Sequence, residues 1–217
     1  MRVREFMTTN VITVSTKTSI LDAQKYMSVH KVRRLPVVDK GKLIGIVTDR
    51  RIAAASPSSA TTLSVWEQNN LLSKMTVGEI MNKPVLSINE DTTAESALAL
   101  AQERGIGAFP IVDDRQRLVG IVTTNDFVYR IMNPLLGIGK SGVRIHILDC
   151  GSIPKIINVL KAVEKSNFEI EAIHIDDSIE RETRDLIIQL NTEDASQLIS
   201  ELRNSGYQVS ERERHIK

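Results

Sequence analysis

The chain has 217 residues, 41% hydrophobic and 25% charged, which is long enough for more than one small domain and typical of a globular protein. A net charge of +1 and an aromatic content of 4% argue against a nucleic-acid partner. The single cysteine, Cys150, excludes an intramolecular disulfide, and no leader or membrane-length apolar run is present. We therefore expect a soluble, cytoplasmic protein without a membrane partner.

The dominant feature of the sequence is an internal repeat. The segment RRLPVVDKGKLIGIVTDRR at Arg33–Arg51 recurs as GAFPIVDDRQRLVGIVTTND at Gly107–Asp126, and each copy predicts a β-hairpin because two apolar runs flank a turn that begins with aspartate. The upstream segments Phe6–Val14 and Ile80–Ile88 repeat at the same shift of 74 residues and are predicted strands. Two copies of one structural unit follow from this pattern.

Helix signals complete each unit. Ser19–Asp22 and Thr92–Glu95 are predicted capping boxes that begin helices, and Gly105 is placed to end the second of these helices. A further helix is predicted after each hairpin, and in the second copy Pro134 should stop it. Each unit then reads strand, helix, strand, strand, helix. Because one unit cannot cover both faces of its sheet, we expect the two units to pack face to face.

Two connecting segments differ in composition from the repeats. Residues 57–75 begin as a polar linker and continue into a helix opened by the capping box Ser64–Glu67. We expect Trp66 to pack this helix on the body of the protein, with an oligomer contact as the alternative. Residues 135–142 contain GIGKSG but lack the spacing of a phosphate-binding loop, so a glycine-rich linker is predicted there.

The last third of the chain, residues 143–217, changes pattern. Alternating and amphipathic segments follow one another in the order βαββαβ, which predicts a ferredoxin-like antiparallel sheet with two helices on one side. The uncovered sheet would need a second copy to shield it. His146 and His174 are predicted cross-strand neighbours, and Cys150 is a predicted half-buried residue. The histidines lack metal-ligand spacing.

The duplicated unit resembles the cystathionine-β-synthase (CBS) domain, which occurs in tandem pairs. The resemblance rests on two strands of the form x-x-P-[VI]-V-D and two G-I-V-T strand ends. The last third resembles an ACT domain, a regulatory module that binds small molecules and usually dimerises, on its element order and on the loop Asp149–Ile153, which lacks the proline of that family. The domain order resembles that of the acetoin-utilisation regulatory proteins.

Together these features predict an α/β (α+β) chain of five segments. They are CBS domain 1 at residues 1–56, a linker with a helix at 57–75, CBS domain 2 at 76–134, a glycine-rich linker at 135–142 and an ACT-like domain at 143–217.

The CBS resemblance implies clefts between the two units that bind AMP, ADP, ATP or another adenosine derivative through the motif G-h-x-[ST]-x-x-D. The second copy carries this motif intact, so Thr123 and Asp126 are expected to bond the ribose; their alternative role is that of a helix cap. The first copy keeps Thr48 but has Arg51 in place of the aspartate. Arginine cannot accept a hydrogen bond, so we expect unequal sites.

The remaining contacts of the stronger site are also implied by the resemblance. The adenine is expected against Ala108, Phe109 and Pro110, with the segment that ends at Ser87 on its other side. Arg34 either reaches the phosphate or is a solvated residue at the start of a strand, and the sequence leaves both alternatives open.

No catalytic motif is visible, and no cofactor is required. The sequence therefore predicts a non-catalytic regulator that binds an adenine nucleotide and carries an ACT-like domain that either binds a second effector or mediates dimerisation. The resemblance further implies a homodimer, a partner enzyme and a link to acetoin utilisation. Nucleotide binding is expected to shift the balance between two arrangements of the CBS units. The alternative is an assembly module that regulates a partner enzyme without binding nucleotide.

Overall fold

The computed structural model describes residues 1–57, 62–178 and 182–211. It divides the chain into two compact units, Met1–Phe127 and Val128–Lys217, which are described separately below. The parts of the predicted linker at 57–75 and of the predicted last domain at 143–217 that fall in the gaps, His215 among them, lie outside the described residues.

The first unit contains both copies of the repeat. A 3₁₀ turn at Val3–Glu5 precedes the elements of the first copy: α1 (Ile20–His30), β1 (Arg34–Asp39), β2 (Lys42–Thr48) and α2 (Asp49–Ala55). Helix α3 (Val65–Lys74) follows it. The second copy contains α4 (Val77–Ile80), β3 (Ile88–Asn89), α5 (Ala94–Arg104), β4 (Ala108–Val112), β5 (Leu118–Thr123) and α6 (Thr124–Phe127).

Both predicted hairpins are confirmed. Strand β1 pairs antiparallel with β2, and β4 pairs antiparallel with β5. The register shifts at Val37/Val38 in the first hairpin and at the equivalent Ile111/Val112 in the second. In the first turn, Lys40 and Gly41 have φ values of 48° and 78°, the conformation of a two-residue hairpin turn that matches the twist of its strands.

The strands predicted at Phe6–Val14 and Ile80–Ile88 are wrong. In the described residues the first segment makes only isolated bridges, and of the second segment only Ile88 lies in a strand. One bridge joins Val14 in parallel to Val37 of β1, and the equivalent residues of the second copy form the short strand β3 beside β4. The reason is that the start of each segment pairs with the other copy. Thr8 pairs with Ile121 of β5, and by the same rule Asn82 pairs with Ile46 of β2.

This crossed pairing is accommodated by a glycine in each hairpin. A Cβ atom added to Gly120 would lie 2.5 Å from Sδ of Met7, and one added to Gly45 would lie 2.6 Å from Sδ of Met81. Each glycine therefore makes room for a methionine that comes from the other copy. The crossing extends into the cores, since Phe6 packs edge to face on Phe127 with ring centroids 5.3 Å apart.

Local helix signals are largely confirmed, although one cap lies a residue further along. Ser19 caps α1 by accepting a hydrogen bond from the Asp22 amide. Helix α5 is capped by Thr93, not Thr92, and ends at Gly105, which adopts φ 61°. The capping box Ser64–Glu67 opens α3 as predicted.

The predicted packing of Trp66 is wrong. Its side chain is 73% exposed, whereas Leu72, almost two turns later in α3, is only 6% exposed. Helix α3 therefore contacts the core through Leu72, which belongs to the buried cluster of the first copy, and it presents Trp66 to solvent.

The second unit begins with a π-helical turn at Val128–Met132 and α7 (Asn133–Leu135). Pro134 lies at the start of α7, where its missing amide costs nothing, so the predicted helix end at this proline is wrong. The elements that follow are β6 (Val143–Ile147), α8 (Ile153–Lys165), β7 (Ile170–Ser178), β8 (Thr183–Leu190), α9 (Ser196–Asn204) and β9 (Val209–Glu211).

The predicted βαββαβ arrangement is confirmed in order and topology. The sheet has the strand order β7-β8-β6-β9 with every pair antiparallel. Helices α8 and α9 cover one face, where residues such as Val159 and Leu198 form a buried cluster with Ile145 and Ile188. In the described parts of the chain, no helix combines the length and apolar character needed to cross a bilayer.

The segment predicted as a glycine-rich linker, residues 135–142, packs on the other face of this sheet. Arg144 of β6 donates a hydrogen bond to the Leu136 carbonyl, and Gln189 of β8 donates one to the Ser141 carbonyl at 3.0 Å. The ammonium group of Lys140 lies 2.7 Å from the Glu171 carboxylate. These contacts explain why the segment at 135–142 belongs to the second unit.

Two smaller predictions for this unit need correction. His146 and His174 both lie opposite Ile187, so β8 separates them and they are not cross-strand neighbours. Nε2 of His146 lies 3.0 Å from the carboxylate of the buried Asp185. Cys150 is fully buried, not half-buried, and this burial raises the pKa of its thiol.

The two glycines at the end of the 135–142 segment provide a matched stability test. Gly142 has φ 99°, and a Cβ there would overlap the Leu190 carbonyl oxygen, whereas Gly139 has φ 82° and open space around it. We expect Gly139→Ala to lower the free energy of unfolding by about 1–2 kcal/mol through backbone strain alone. Gly142→Ala should cost about 3 kcal/mol or more, because steric overlap adds to that strain. Urea unfolding of both variants measures the difference, and equal losses would contradict the close approach.

Candidate functional site

Two open clefts of the first unit are distinguished by their lining residues. The first cleft has a volume of about 690 Å³. It is built from the opening segment and strand start of the first copy together with the end of the second hairpin. Its lining residues are Thr8, Asn10, Val11, Ile12, Lys31, Val32, Arg33, Arg34, Asp49, Ile121, Thr123, Thr124, Asn125 and Asp126.

The second cleft has a volume of about 520 Å³ and is the counterpart of the first. Equivalent positions of the two copies line the two clefts. In the second cleft, Val85 corresponds to Val11 of the first, Ala108 to Arg34, and Thr48 to Thr123. Its lining residues are Arg34, Ile46, Thr48, Asp49, Arg50, Asn82, Pro84, Val85, Leu86, Gly105, Ile106, Gly107 and Ala108.

Thr123 and Asp126 lie together in the first cleft, at the junction of β5 and α6. Oδ2 of Asp126 accepts two hydrogen bonds from Thr123, at 2.7 Å from the backbone amide and 2.8 Å from the hydroxyl. The carboxylate is half-buried. The capping role that the sequence left as an alternative is therefore present, and it holds the carboxylate at the cleft wall.

The equivalent position of the first copy is occupied differently. Thr48 caps α2 by accepting a hydrogen bond from the Arg51 amide at 3.2 Å. The Arg51 side chain turns away to donate a hydrogen bond from Nε to the Ile80 carbonyl at 3.0 Å. Arg51 thus tethers the end of α4, and the carboxylate at this motif position is found in the first cleft only.

The two clefts also differ in the number of charged residues that line them. The first cleft is lined by three cationic residues, Lys31, Arg33 and Arg34, and by the two acidic residues Asp49 and Asp126. The second cleft is lined by Arg34, Arg50 and Asp49. Arg33 and Asp49 form a loose ion pair of 4.0 Å that is largely exposed, so it holds Arg33 only weakly. The three cations that line the first cleft are suited to an anionic ligand group.

The structure does not bring the predicted adenine wall together with Thr123 and Asp126 in one cleft. Ala108, although a cross-strand partner of Thr123, lines the second cleft, and the first cleft is walled by Val11 and Ile12 instead. Of the described residues, those that line these two clefts do not include Ser87, Phe109 and Pro110, and the last two are buried in β4. Arg34 does line the first cleft.

Crossed pairing is the physical reason for this separation, since each hairpin end meets the opening segment of the other copy. Sequence reasoning missed Asn10 and Lys31 as lining residues of the first cleft. Applying the repeat shift of 74 residues to Val85 and Leu86 would have found Val11 and Ile12, but only with the knowledge that the copies exchange their opening segments. Among the residues that the structure describes, no group of three or more His, Cys, Asp or Glu side chains is arranged to hold a metal ion.

Comparison with known proteins decides the family. The model of the CBS domain matches residues 3–58 and 77–133, which is more than half of the 217 residues. The chain belongs to the CBS-domain family. The two matched ranges are the two copies of the repeat, so this is a tandem CBS pair.

Three solved CBS structures are similar to this pair. CBSX2 of Arabidopsis thaliana in complex with AMP has 30% identity and a TM-score of 0.52, over 61% of this chain and 97% of that one. A CBS domain pair in complex with 5′-methylthioadenosine and S-adenosyl-L-methionine has 31% identity and a TM-score of 0.51, over 61% and 96%. A Vibrio cholerae protein described as an acetoin utilization protein has 29% identity and a TM-score of 0.51, over 61% and 91%.

Several curated relatives are much longer than the matched region. Inosine-5′-monophosphate dehydrogenase of Methanocaldococcus jannaschii is 32% identical over 173 residues, which is 79% of this chain and 31% of that enzyme. The chain spans 22% and 25% of the length of two further relatives.

Proposed function

We propose that this CBS-domain protein is a non-catalytic regulator whose first cleft binds an adenine nucleotide: AMP, ADP, ATP or another adenosine derivative. The observation that carries the proposal is that the Thr123–Asp126 pair lines the same cleft as Lys31, Arg33 and Arg34. A carboxylate acceptor for hydroxyl groups and a cluster of cations at one cleft fit a sugar phosphate. The complexes of similar CBS pairs with AMP, 5′-methylthioadenosine and S-adenosyl-L-methionine support the adenosine moiety.

Asp126 has the central role in this proposal. Its carboxylate accepts hydrogen bonds from the ribose hydroxyls, a charge-assisted interaction of about 1.5–3 kcal/mol. Thr123 stays beside it and positions the carboxylate through the two bonds already present. The base lies against Val11 and Ile12, which supply an apolar wall of the cleft.

The phosphate groups bind to the three cations that line the first cleft, Lys31, Arg33 and Arg34. Arg33 is exposed and only loosely paired, so little is lost when it turns toward a phosphate. Lys31, which ends α1 in a left-handed conformation with φ 53°, lines the same cleft. This arrangement favours nucleotides over uncharged nucleosides.

The second unit is proposed to be an ACT domain that binds a further small effector or forms a homodimer. Its βαββαβ topology supports this assignment. Nucleotide binding shifts the balance between two arrangements of the CBS pair, and a partner enzyme responds to the shift. The similarity to the Vibrio cholerae acetoin utilization protein supports a role in acetoin utilisation.

Calorimetric titration with AMP, ATP and S-adenosylmethionine tests the ligand assignment. We expect the wild-type protein to bind a nucleotide saturably at one strong site. Asp126→Asn should weaken that binding roughly 10- to 150-fold, because an amide replaces the charged ribose acceptor.

The matched control is Asp39→Asn, which changes an exposed aspartate in the first hairpin turn without touching either cleft. It should bind like the wild type. Melting temperatures of both variants separate loss of binding from loss of the Thr123 cap. Equal binding by Asp126→Asn and the wild type would refute the ribose role of Asp126.

The crossed composition of the clefts gives an independent test. Val11 and Val85 are equivalent, half-buried residues of the two opening segments, and they line different clefts. We expect Val11→Trp to block nucleotide binding at the Asp126 site and Val85→Trp to leave it unchanged, as titration with AMP would show. The reverse result would mean that Asp126 works with the opening segment of its own copy.

The exposed face of α3 favours a second candidate function, an oligomerisation module in which copies of this chain associate through α3 and so regulate a partner enzyme without binding nucleotide. Val65 and Trp66 are 75% and 73% exposed at the start of this helix, and large exposed apolar side chains often mark contact sites.

Acrylamide quenching of Trp66 fluorescence tests this second function, because Trp66 is the only tryptophan of the sequence. If the protein does not associate through α3, quenching should be efficient and independent of protein concentration. Protection that increases with concentration, and that is lost in Val65→Ser, would support the assembly function. Ile153→Ser, at an exposed isoleucine of α8, is the control for a general loss of apolar surface.

A further inference from the structure

Two charged residues, Arg34 and Asp49, line both clefts of the CBS pair. They lie where the two clefts adjoin, at the start of β1 and the start of α2. The first cleft has two further cations on its wall, Lys31 and Arg33. The second cleft has only one, Arg50, so Arg34 contributes a larger share of its positive charge.

The position of the Arg34 guanidinium shows how one side chain serves two clefts. A Cβ atom added to Gly107 would lie 2.6 Å from Nη2 of Arg34, so the guanidinium lies directly against the backbone there. Gly107 lines the second cleft, and its carbonyl accepts a hydrogen bond at 3.2 Å from Thr124 of the first cleft. The guanidinium is therefore placed at the wall that the two clefts share.

The sequence of the repeat explains why a single cation occupies this wall. The equivalent of Arg34 in the second copy is Ala108, and the equivalent of Arg33 is Gly107. Two arginines related by the repeat would compete for the same space and repel each other. Replacing one pair by Gly-Ala leaves room for Arg34 to extend across the junction.

We infer that Arg34 is a shared phosphate ligand, so that a phosphate-bearing nucleotide in one cleft lowers the affinity of the other cleft for a second one. This inference rests on the proposed nucleotide binding. When the guanidinium turns to a phosphate in one cleft, the other cleft loses a cation, and by linkage the effect is equal in both directions. Adenosine has no phosphate for Arg34 to bind, so adenosine in one cleft leaves the affinity of the other cleft unchanged.

The test uses a chain in which both clefts have the ribose carboxylate. Arg51→Asp restores the motif in the first copy and places an acidic residue in the first turn of α2, a position that favours acids. In the Arg51→Asp variant, the weaker of the two AMP dissociation constants gives the affinity of the second cleft while the first cleft is occupied. In the double variant Arg51→Asp/Asp126→Asn, the first cleft has lost its carboxylate, so the AMP dissociation constant gives the affinity of the second cleft while the first cleft is empty.

Calorimetry should show that AMP in the first cleft weakens the second by at least about fivefold, the lower end of typical coupling between sites. With adenosine, the second cleft should have nearly the same dissociation constant whether the first cleft is occupied or empty. Adding Arg34→Gln should remove the coupling for AMP. Arg33→Gln, which changes a residue of the first cleft only, should weaken that cleft and leave the coupling in place.

Three results would overturn the inference while nucleotide binding by the wild type stands: independent AMP sites, equal coupling with adenosine and AMP, or a single site for both ligands. Absence of any nucleotide binding by the wild type would instead refute the proposed function itself. If Arg51→Asp does not fold, as circular dichroism would show, Arg51→Asn supplies a neutral acceptor and the same comparisons apply.

Discussion

The fold of the first unit depends on one exchange of partners: each copy of the repeat gives its opening segment to the hairpin of the other copy. Two close contacts hold the exchange, Met7 over Gly120 and Met81 over Gly45, where a Cβ on either glycine would meet methionine sulfur. The backbone bridges from Thr8 and Asn82 extend it. Because neither hairpin has a complete neighbour within its own copy, the two copies must fold together, and each cleft contains residues from both.

The two copies of the repeat have equivalent backbones but different side chains, and this makes the clefts different. The backbone places equivalent residues in each cleft, such as Thr48 and Thr123 at the strand ends. At the next motif position, Asp126 faces the first cleft, while Arg51 bonds to a backbone carbonyl and leaves the second cleft without that carboxylate. The same backbone arrangement can therefore place a carboxylate in one cleft and omit it in the other, by substitution at a single position.

Features set by local chemistry were predictable from the sequence, and features set by distant partners were not. Hairpins, helix caps and the βαββαβ order depend on alternation, turn residues and capping residues that are neighbours in the chain. The partner of each opening segment depends on a contact across the repeat, and both copies have the same local pattern, so the sequence alone did not separate the cleft of Ala108 from that of Asp126. The segment at 135–142 has the composition of a linker, yet Gly137 and Gly142 serve to bring the backbone close to the sheet.

The capping state of Asp126 sets a limit on how strongly the first cleft can bind. Its Oδ2 already accepts two hydrogen bonds from Thr123, so ligand hydroxyls gain only what the carboxylate can add beyond those bonds, or what it gains by exchanging them. The same bonds reduce the entropy lost on binding, because the carboxylate is held at the cleft wall before the ligand arrives. The two hydrogen bonds from Thr123 thus oppose ligand binding by occupying Asp126 and favour it by holding the carboxylate in place. The balance of these two effects decides whether Asp126 contributes mainly to capping the helix or to binding the ligand.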